Sequence, residues 1–139
     1  MNKTTRAGLL HHVELYVSDL ERSLELWGWF LTELGYTCVA QWDEGQSWQL
    51  GETYLVFVQA QHKYDDYPYH RCGVGLNHLA FHAESRQQVD DVTEALRARQ
   101  VQILYEDRHP YAGGPDYYAV FFEDADRIKV ELVASGEEA

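Results

Sequence analysis

"HHVELYVSDLERSLELWGWFLTELGY", residues 11–36, decides the fold. Its opening alternates. Val13, Leu15 and Val17 form one apolar row, and His12, Glu14 and Tyr16 form the other, because neighbouring strand residues point to opposite faces. At Leu20 the period changes. Leu20, Leu24, Trp27, Leu31 and Leu34 recur at helical spacing, after Ser18 or Asp19 as a cap and with Glu21 or Arg22 in the first turn. Gly35 ends the run. The stretch therefore reads as a strand whose apolar row packs under the helix that comes after it. His11 falls on the apolar row at the strand's frayed start and is taken as incidental. His12 stays on the open row.

Working outward, "YTCVAQW" (36–42), "SWQL" (47–50) and "YLVFVQ" (54–59) read as strands, separated by the turns "DEG" and "GET". The first module is β-α-β-β-β over about residues 9–60. Residues 61–76, "QHKYDDYPYHRCGVGL", read as a linker loop. The pattern then repeats over about 77–134. "NHLAFHAES" carries Leu79 and Phe81 on one face and His78, Ala80 and His82 on the other. A helix follows with Val89, Val92 and Leu96 as its stripe. "VQILYE", "YYAVFFE" and "RIKVELVA" are strands, the last two joined by "DADR". Strand 12–17 matches strand 78–83 at an offset of 66, and Leu24, Trp27 and Leu31 match Val89, Val92 and Leu96 at 65. The expected fold is α+β: one domain of two βαβββ modules, forming a curved mixed sheet around a cleft.

The 139 residues and 45% hydrophobic content suffice for a packed domain without staples. A net charge of -12 argues against a nucleic-acid or anionic-membrane partner. Cys38 and Cys72 match no CxxC pattern, which favours a reduced, cytoplasmic setting. "MNKTTRAGLL" lacks the apolar run of a signal peptide. Trp27, Trp29, Phe30, Trp42 and Trp48 are read as core or dimer-interface residues, and a homodimer is expected.

The open rows bring imidazoles and a carboxylate to strand positions. In "RIKVELV", Ile128, Val130 and Leu132 share one face, and Lys129, Glu131 and Val133 the other. Two histidines and one carboxylate form a facial set for a divalent transition metal. By periodicity alone, His12 and His78 read equally as polar residues on half-wet sheet faces.

The chain resembles the vicinal oxygen chelate superfamily, which includes glyoxalase I, extradiol dioxygenases, fosfomycin-resistance enzymes and bleomycin-resistance proteins. The carrying residues are "HHVELYVSDLERSLELWGWFLTELGY", "LNHLAF" (76–81) and "YYAVFFEDADRIKVELV" (117–133). The closing turn, "EDADRIKVEL", lacks the family's usual Pro and Gly. The resemblance implies His12, His78 and Glu131 as ligands of Fe2+, Mn2+, Zn2+ or Ni2+. It implies lyase, isomerase, dioxygenase or thiol-transferase chemistry on a small oxygenated substrate. The fourth family position falls near Phe57, where glyoxalase I generally has a glutamate. The competing reading is a non-catalytic small-molecule binder of the bleomycin-resistance type.

Glu14, Tyr16 and His82 are the proton-transfer candidates. Glu14 reads equally as a carboxylate that orients a ligand histidine or pairs with Lys129. His82 lies too far along its strand for joint chelation with His78. Arg108, His109, Tyr111 and Tyr117, in or beside the loop "DRHPYAGGPD" (107–116), are candidates for binding an anionic or oxygenated substrate. The same loop reads as a turn-rich connector whose Gly-Gly-Pro serves backbone geometry.

Overall fold

Asp19 is the cap that starts the first helix: its side chain accepts the Arg22 backbone N–H at 3.2 Å. In the computed structural model, which describes residues 6–135, this helix is α1 (Leu20–Glu33), preceded by β1 (His12–Val17). Strands β2 (Thr37–Trp42), β3 (Gly45–Leu50) and β4 (Thr53–Gln59) come next as a meander. The sheet order is β1-β4-β3-β2, with β1 parallel to β4 and the other pairs antiparallel. Gln59 ties the last strand to the start of the helix. Its Oε1 accepts from Leu20 N at 2.9 Å, and its Nε2 donates to the Ser18 carbonyl at 2.8 Å. The helix stripe buries Trp27, Phe30 and Leu31 with Val17, Leu55 and Phe57, and the Trp27 and Phe57 rings lie 5.0 Å apart. Each such large side chain contributes about 1.5–3 kcal/mol on burial.

The second unit repeats the plan with β5 (His78–His82), α2 (Arg86–Ala98), β6 (Ile103–Leu104), β7 (Tyr118–Glu123) and β8 (Lys129–Ala134). Its sheet order is β5-β8-β7-β6, again with the first and last strands parallel. Ser85 caps α2 by accepting from Gln88 N at 3.1 Å. Val89, Val92 and Leu96 pack on Val120, Phe122, Val130 and Leu132 as the core. The chain divides between Asp66 and Tyr67 into these two compact units. Within the second, Arg71 donates to Glu123 at 2.8 Å and to the Arg127 carbonyl at 2.9 Å, so the loop before β5 is fastened to the β7–β8 end.

Two local expectations change. The strand expected over "VQILYE" shrinks to Ile103–Leu104, because Tyr105 takes the left-handed region at φ 58 and turns the chain away. The loop 61–76 contains a short 3-10 turn at His62–Tyr64. In the β7–β8 turn, where the sequence lacks the expected glycine, Arg127 itself adopts φ 66. Asp124 Oδ1 supports that turn by accepting from the Asp126 and Ile128 amides, each at 2.8 Å. No helix among the described residues is long and apolar enough to cross a membrane.

Candidate functional site

The covered face of the second sheet carries Leu79, Val130 and Phe122, so the opposite face carries their neighbours. Pairing sets that open face: Ala80 stands beside Glu131, which stands beside Phe121, and His78 stands beside Lys129, which stands beside Glu123. Glu131 is 2% exposed and still bears two side-chain partners. His78 Nε2 lies 3.1 Å from its Oε1, and the Tyr117 hydroxyl donates to its Oε2. That hydrogen bond, with burial second, pushes the Tyr117 phenol up to about 12. The phenol therefore stays protonated and holds the carboxylate in place. The Tyr117 ring is seated on Gly113, where an added Cβ would come within 2.4 Å of it. On the other side of the pair, His78 Nδ1 lies 2.6 Å from Asn77 Oδ1. An Nδ1–H donated there leaves Nε2 as the lone-pair nitrogen facing Glu131.

The loop residues separate. Tyr117 and Tyr118 are adjacent and point to opposite faces. Tyr118 donates to Asp90 of α2 at 2.5 Å, which raises its pKa to about 12, and the Arg86 guanidinium lies 4.7 Å above its ring. Tyr111 stacks edge-on against Tyr118 at 5.5 Å. His109 is half-buried among charges of the same side. Burial, with Arg97 second, lowers its pKa, while Glu106, Asp90 and Glu94 oppose that shift. Arg108 lies instead 5.1 Å from the Tyr105 ring, which Lys129 also approaches, at 4.9 Å. The structure thus brings Tyr117 to Glu131, while Tyr111 meets Tyr118 and His109 sits among Arg97, Glu106, Asp90 and Glu94 on the α2 side. His82 is exposed at the end of β5, beside Val133.

In the first unit, His12, Glu14 and Tyr16 are all exposed on one row, Tyr16 by 61%. The His12 ring stacks on Tyr54, its pairing partner in β4, at 4.7 Å and 4°. His11 is exposed and lies outside β1, not on a buried row; its Nδ1 comes within 2.9 Å of His12 Nδ1. That contact occupies Nδ1 of His12 and leaves its Nε2 without a hydrogen bond among the described residues. The Glu14 carboxylate likewise makes no hydrogen bond or ion pair among them. Glu14 and Tyr16 border, with Leu15 and Val58, an open recess of about 220 Å³. Tyr16 OH accepts from Gln61 Nε2 at 3.4 Å.

Sequence reasoning assigns no role to Asn77 or Tyr105, and to Gly113 only a backbone one. The signal for Asn77 was its place beside His78. The other two depend on how a loop folds back, which carries no periodic signal. Among the described residues, no group of three or more His, Cys, Asp or Glu side chains converges on one point. The donors gathered are the pair His78–Glu131 in one unit and His12 in the other.

Known proteins share this sequence pattern and fold. The family model for the Glyoxalase/Bleomycin resistance protein/Dioxygenase superfamily matches residues 9–132. The uncharacterized protein YqjT of Bacillus subtilis (strain 168) is 62% identical over 125 residues, covering 90% of this chain and 98% of YqjT. The crystal structure of a candidate glyoxalase from Bacillus halodurans is 55% identical with a TM-score of 0.92, covering 94% of this chain and 98% of that one. A variant of the fosfomycin-resistance protein FosX from Listeria monocytogenes, solved with Mn(II) and 1S,2S-dihydroxypropylphosphonic acid, shares the fold at 19% identity. Its TM-score is 0.67, with 94% of each chain covered.

Proposed function

Because the chain belongs to the Glyoxalase/Bleomycin resistance protein/Dioxygenase superfamily, we propose that it is a divalent-metal-dependent enzyme acting on a small oxygenated molecule. His12, His78 and Glu131 are its metal ligands in this reading. The observation that carries it is the His78–Glu131 pair. Adjacent donors bonded to one metal at about 2.1 Å and near right angles lie about 3.0 Å apart. The His78 Nε2 to Glu131 Oε1 distance is 3.1 Å. In the tautomer that donates Nδ1–H to Asn77, His78 Nε2 offers a lone pair beside the Glu131 carboxylate, two donors that one cation can join. Imidazole and carboxylate together suit Fe2+, Mn2+, Zn2+ and Ni2+.

A divalent cation held there would supply Lewis-acid polarisation of the substrate's oxygens. The remaining work belongs to the chain's own side chains. Asn77 selects the His78 tautomer. Tyr117, protonated throughout the neutral range, fixes the rotamer of Glu131 while leaving Oε1 directed at His78. Glu14 has a carboxylate without a hydrogen bond or ion pair among the described residues and exposed on the His12 row, open to accept a proton. Tyr16 is the second candidate on that row, and His82 the candidate at the end of β5. The homodimer and the reduced, cytoplasmic setting expected from the sequence are part of the same proposal.

Metal analysis of protein purified without chelator tests it. Stoichiometric metal is expected, and its loss in His12→Ala, His78→Ala and Glu131→Ala. No uptake, together with an unchanged melting temperature in added Mn2+, Zn2+ and Ni2+, would overturn it.

A further inference from the structure

The Glu131 face carries a second cluster that the metal reading leaves unused. Lys129 precedes Glu131 by two residues on the same face, about 7 Å away along the strand. Its ammonium lies 4.9 Å from the Tyr105 ring and 5.3 Å from the Phe121 ring, and donates to the Tyr105 hydroxyl oxygen at 2.9 Å. The Arg108 guanidinium lies 5.1 Å from the same Tyr105 ring. Tyr105 is held in the left-handed region at φ 58 to do this, a conformation that costs a tyrosine about 1 kcal/mol or more.

The unusual property of the cluster is what it lacks. The chain has 23 acidic residues and 11 Lys and Arg, so a basic side chain has carboxylates in excess to choose from. The acid standing directly beside Lys129 across the sheet is Glu123. Its carboxylate is given to Arg71 at 2.8 Å and to Arg127 at 3.7 Å instead. Neither Lys129 nor Arg108 has a carboxylate partner among the described residues. The Tyr105 oxygen already accepts from Lys129, so its own O–H is left to donate, and no acceptor for it lies among them. Ammonium, phenol and guanidinium are therefore gathered about one ring with donors to offer, Tyr105 and Arg108 exposed and Lys129 partly so. Two cations gathered on one ring repel each other, and an anion accepting from both relieves that repulsion.

We propose that Lys129, Tyr105 and Arg108 form the anion-recognition arm of the substrate site, so that the substrate is a small organic acid. Its anionic oxygens, carboxylate or phosphonate, sit on this arm, and its other oxygens reach toward Glu131 and His78. The inference rests on the proposed function for that second half. The anion arm stands on its own observations.

The test uses the full chain stripped of metal, so that an anion cannot bind through a metal ion. Acetate and methylphosphonate are titrated against it, with acetamide as the uncharged control, and amide chemical shifts are followed by NMR. Saturable shifts centred on Tyr105, Arg108 and Lys129 are expected for at least one anion and none for acetamide. A response to acetate assigns a carboxylate, and a response to methylphosphonate a phosphonate. Lys129→Met and Arg108→Met are each expected to weaken binding about tenfold or more, and Tyr105→Phe, which keeps the ring, to weaken it less. Lys63→Met removes the same charge elsewhere and is expected to change nothing. No shift with either anion, or an equal loss in Lys63→Met, overturns the proposal. Metal uptake by the same preparation is read separately, so failure of the metal reading shows as absent uptake whatever the anions do.

Discussion

At the scale of single residues, the second unit arranges side chains in a relay: Asn77, His78, Glu131, Tyr117, Gly113. Each member is held by the next. Partners that orient a metal ligand from behind typically carry 10–100-fold in metal affinity. Tyr117→Phe keeps the ring on Gly113 and deletes only the donor to Glu131. It is expected to weaken Mn2+ binding by about tenfold or more and to alter the Mn2+ electron paramagnetic resonance spectrum, with the fold intact by circular dichroism. Gly113→Ala pushes a methyl to within 2.4 Å of that ring and should weaken binding in the same direction by displacing it. Unchanged affinity and spectrum in both would remove Tyr117 from its positioning role. Much of this relay was hidden in the sequence. Alternation places Glu131 on the open face, but His78 pairs directly with Lys129 and reaches Glu131 only diagonally. That reach depends on strand register, which pattern does not carry. Tyr117 reads from sequence as a substrate contact, because its seat on Gly113 comes from a loop folding back on its own strand.

At the scale of elements, the two helices end alike. In α1, Gly35 takes φ 99, its N–H bonds the Thr32 carbonyl at 3.0 Å, and Tyr36 N bonds Leu31 O at 2.9 Å. In α2, Gln100 takes φ 62, with bonds to Arg97 O at 2.9 Å and from Val101 N to Leu96 O at 3.0 Å. The repeat keeps the geometry and loses the glycine. A side chain in that region costs about 1–2 kcal/mol, and glycine's extra unfolded freedom returns part of it. Gln100→Gly is therefore expected to stabilise by about 1 kcal/mol, raising Tm by about 3 °C in thermal unfolding. An unchanged or lower Tm would show that the strain is relieved elsewhere. The loop laid on α2 gives a pH dependence. His109 has a folded pKa below the ordinary 6.5, chiefly from burial. Its neutral form is favoured in the folded protein, so its contribution is complete above about pH 6.5 and is lost as pH falls through the folded value. Thermal unfolding of the wild type should lose more between pH 7 and pH 5 than that of His109→Gln. Parallel curves would contradict this.

At the scale of the whole molecule, element order was the most legible layer. Both β-α-β-β-β series, both helix stripes and the inward and outward rows come from changes of period between two and 3.6 residues. The features that escaped are set by conformations that such patterns do not encode: the left-handed Tyr105 that shortens β6, and the Arg127 that closes the last turn without glycine. Tyr105 shows why the two kinds of information differ. Its neighbours predict a strand, and the structure instead uses that backbone to bring a phenol against Lys129.

The parallel pairing of first and last strands has a consequence for how the molecule comes into being. Among the described residues β5 has β8 as its one strand neighbour, and β8 carries Glu131. While the chain is being synthesised, β5 stays unzipped until residues 129–134 arrive. His78 acquires its carboxylate at the same moment that its strand acquires a sheet. A chain interrupted before Lys129, or clipped by a protease in the β7–β8 turn with loss of β8, loses β5's pairing and the acidic half of the pair in one stroke. The site is thus tied to completion of the second unit, and partial products expose an unpaired strand end rather than a half-working centre.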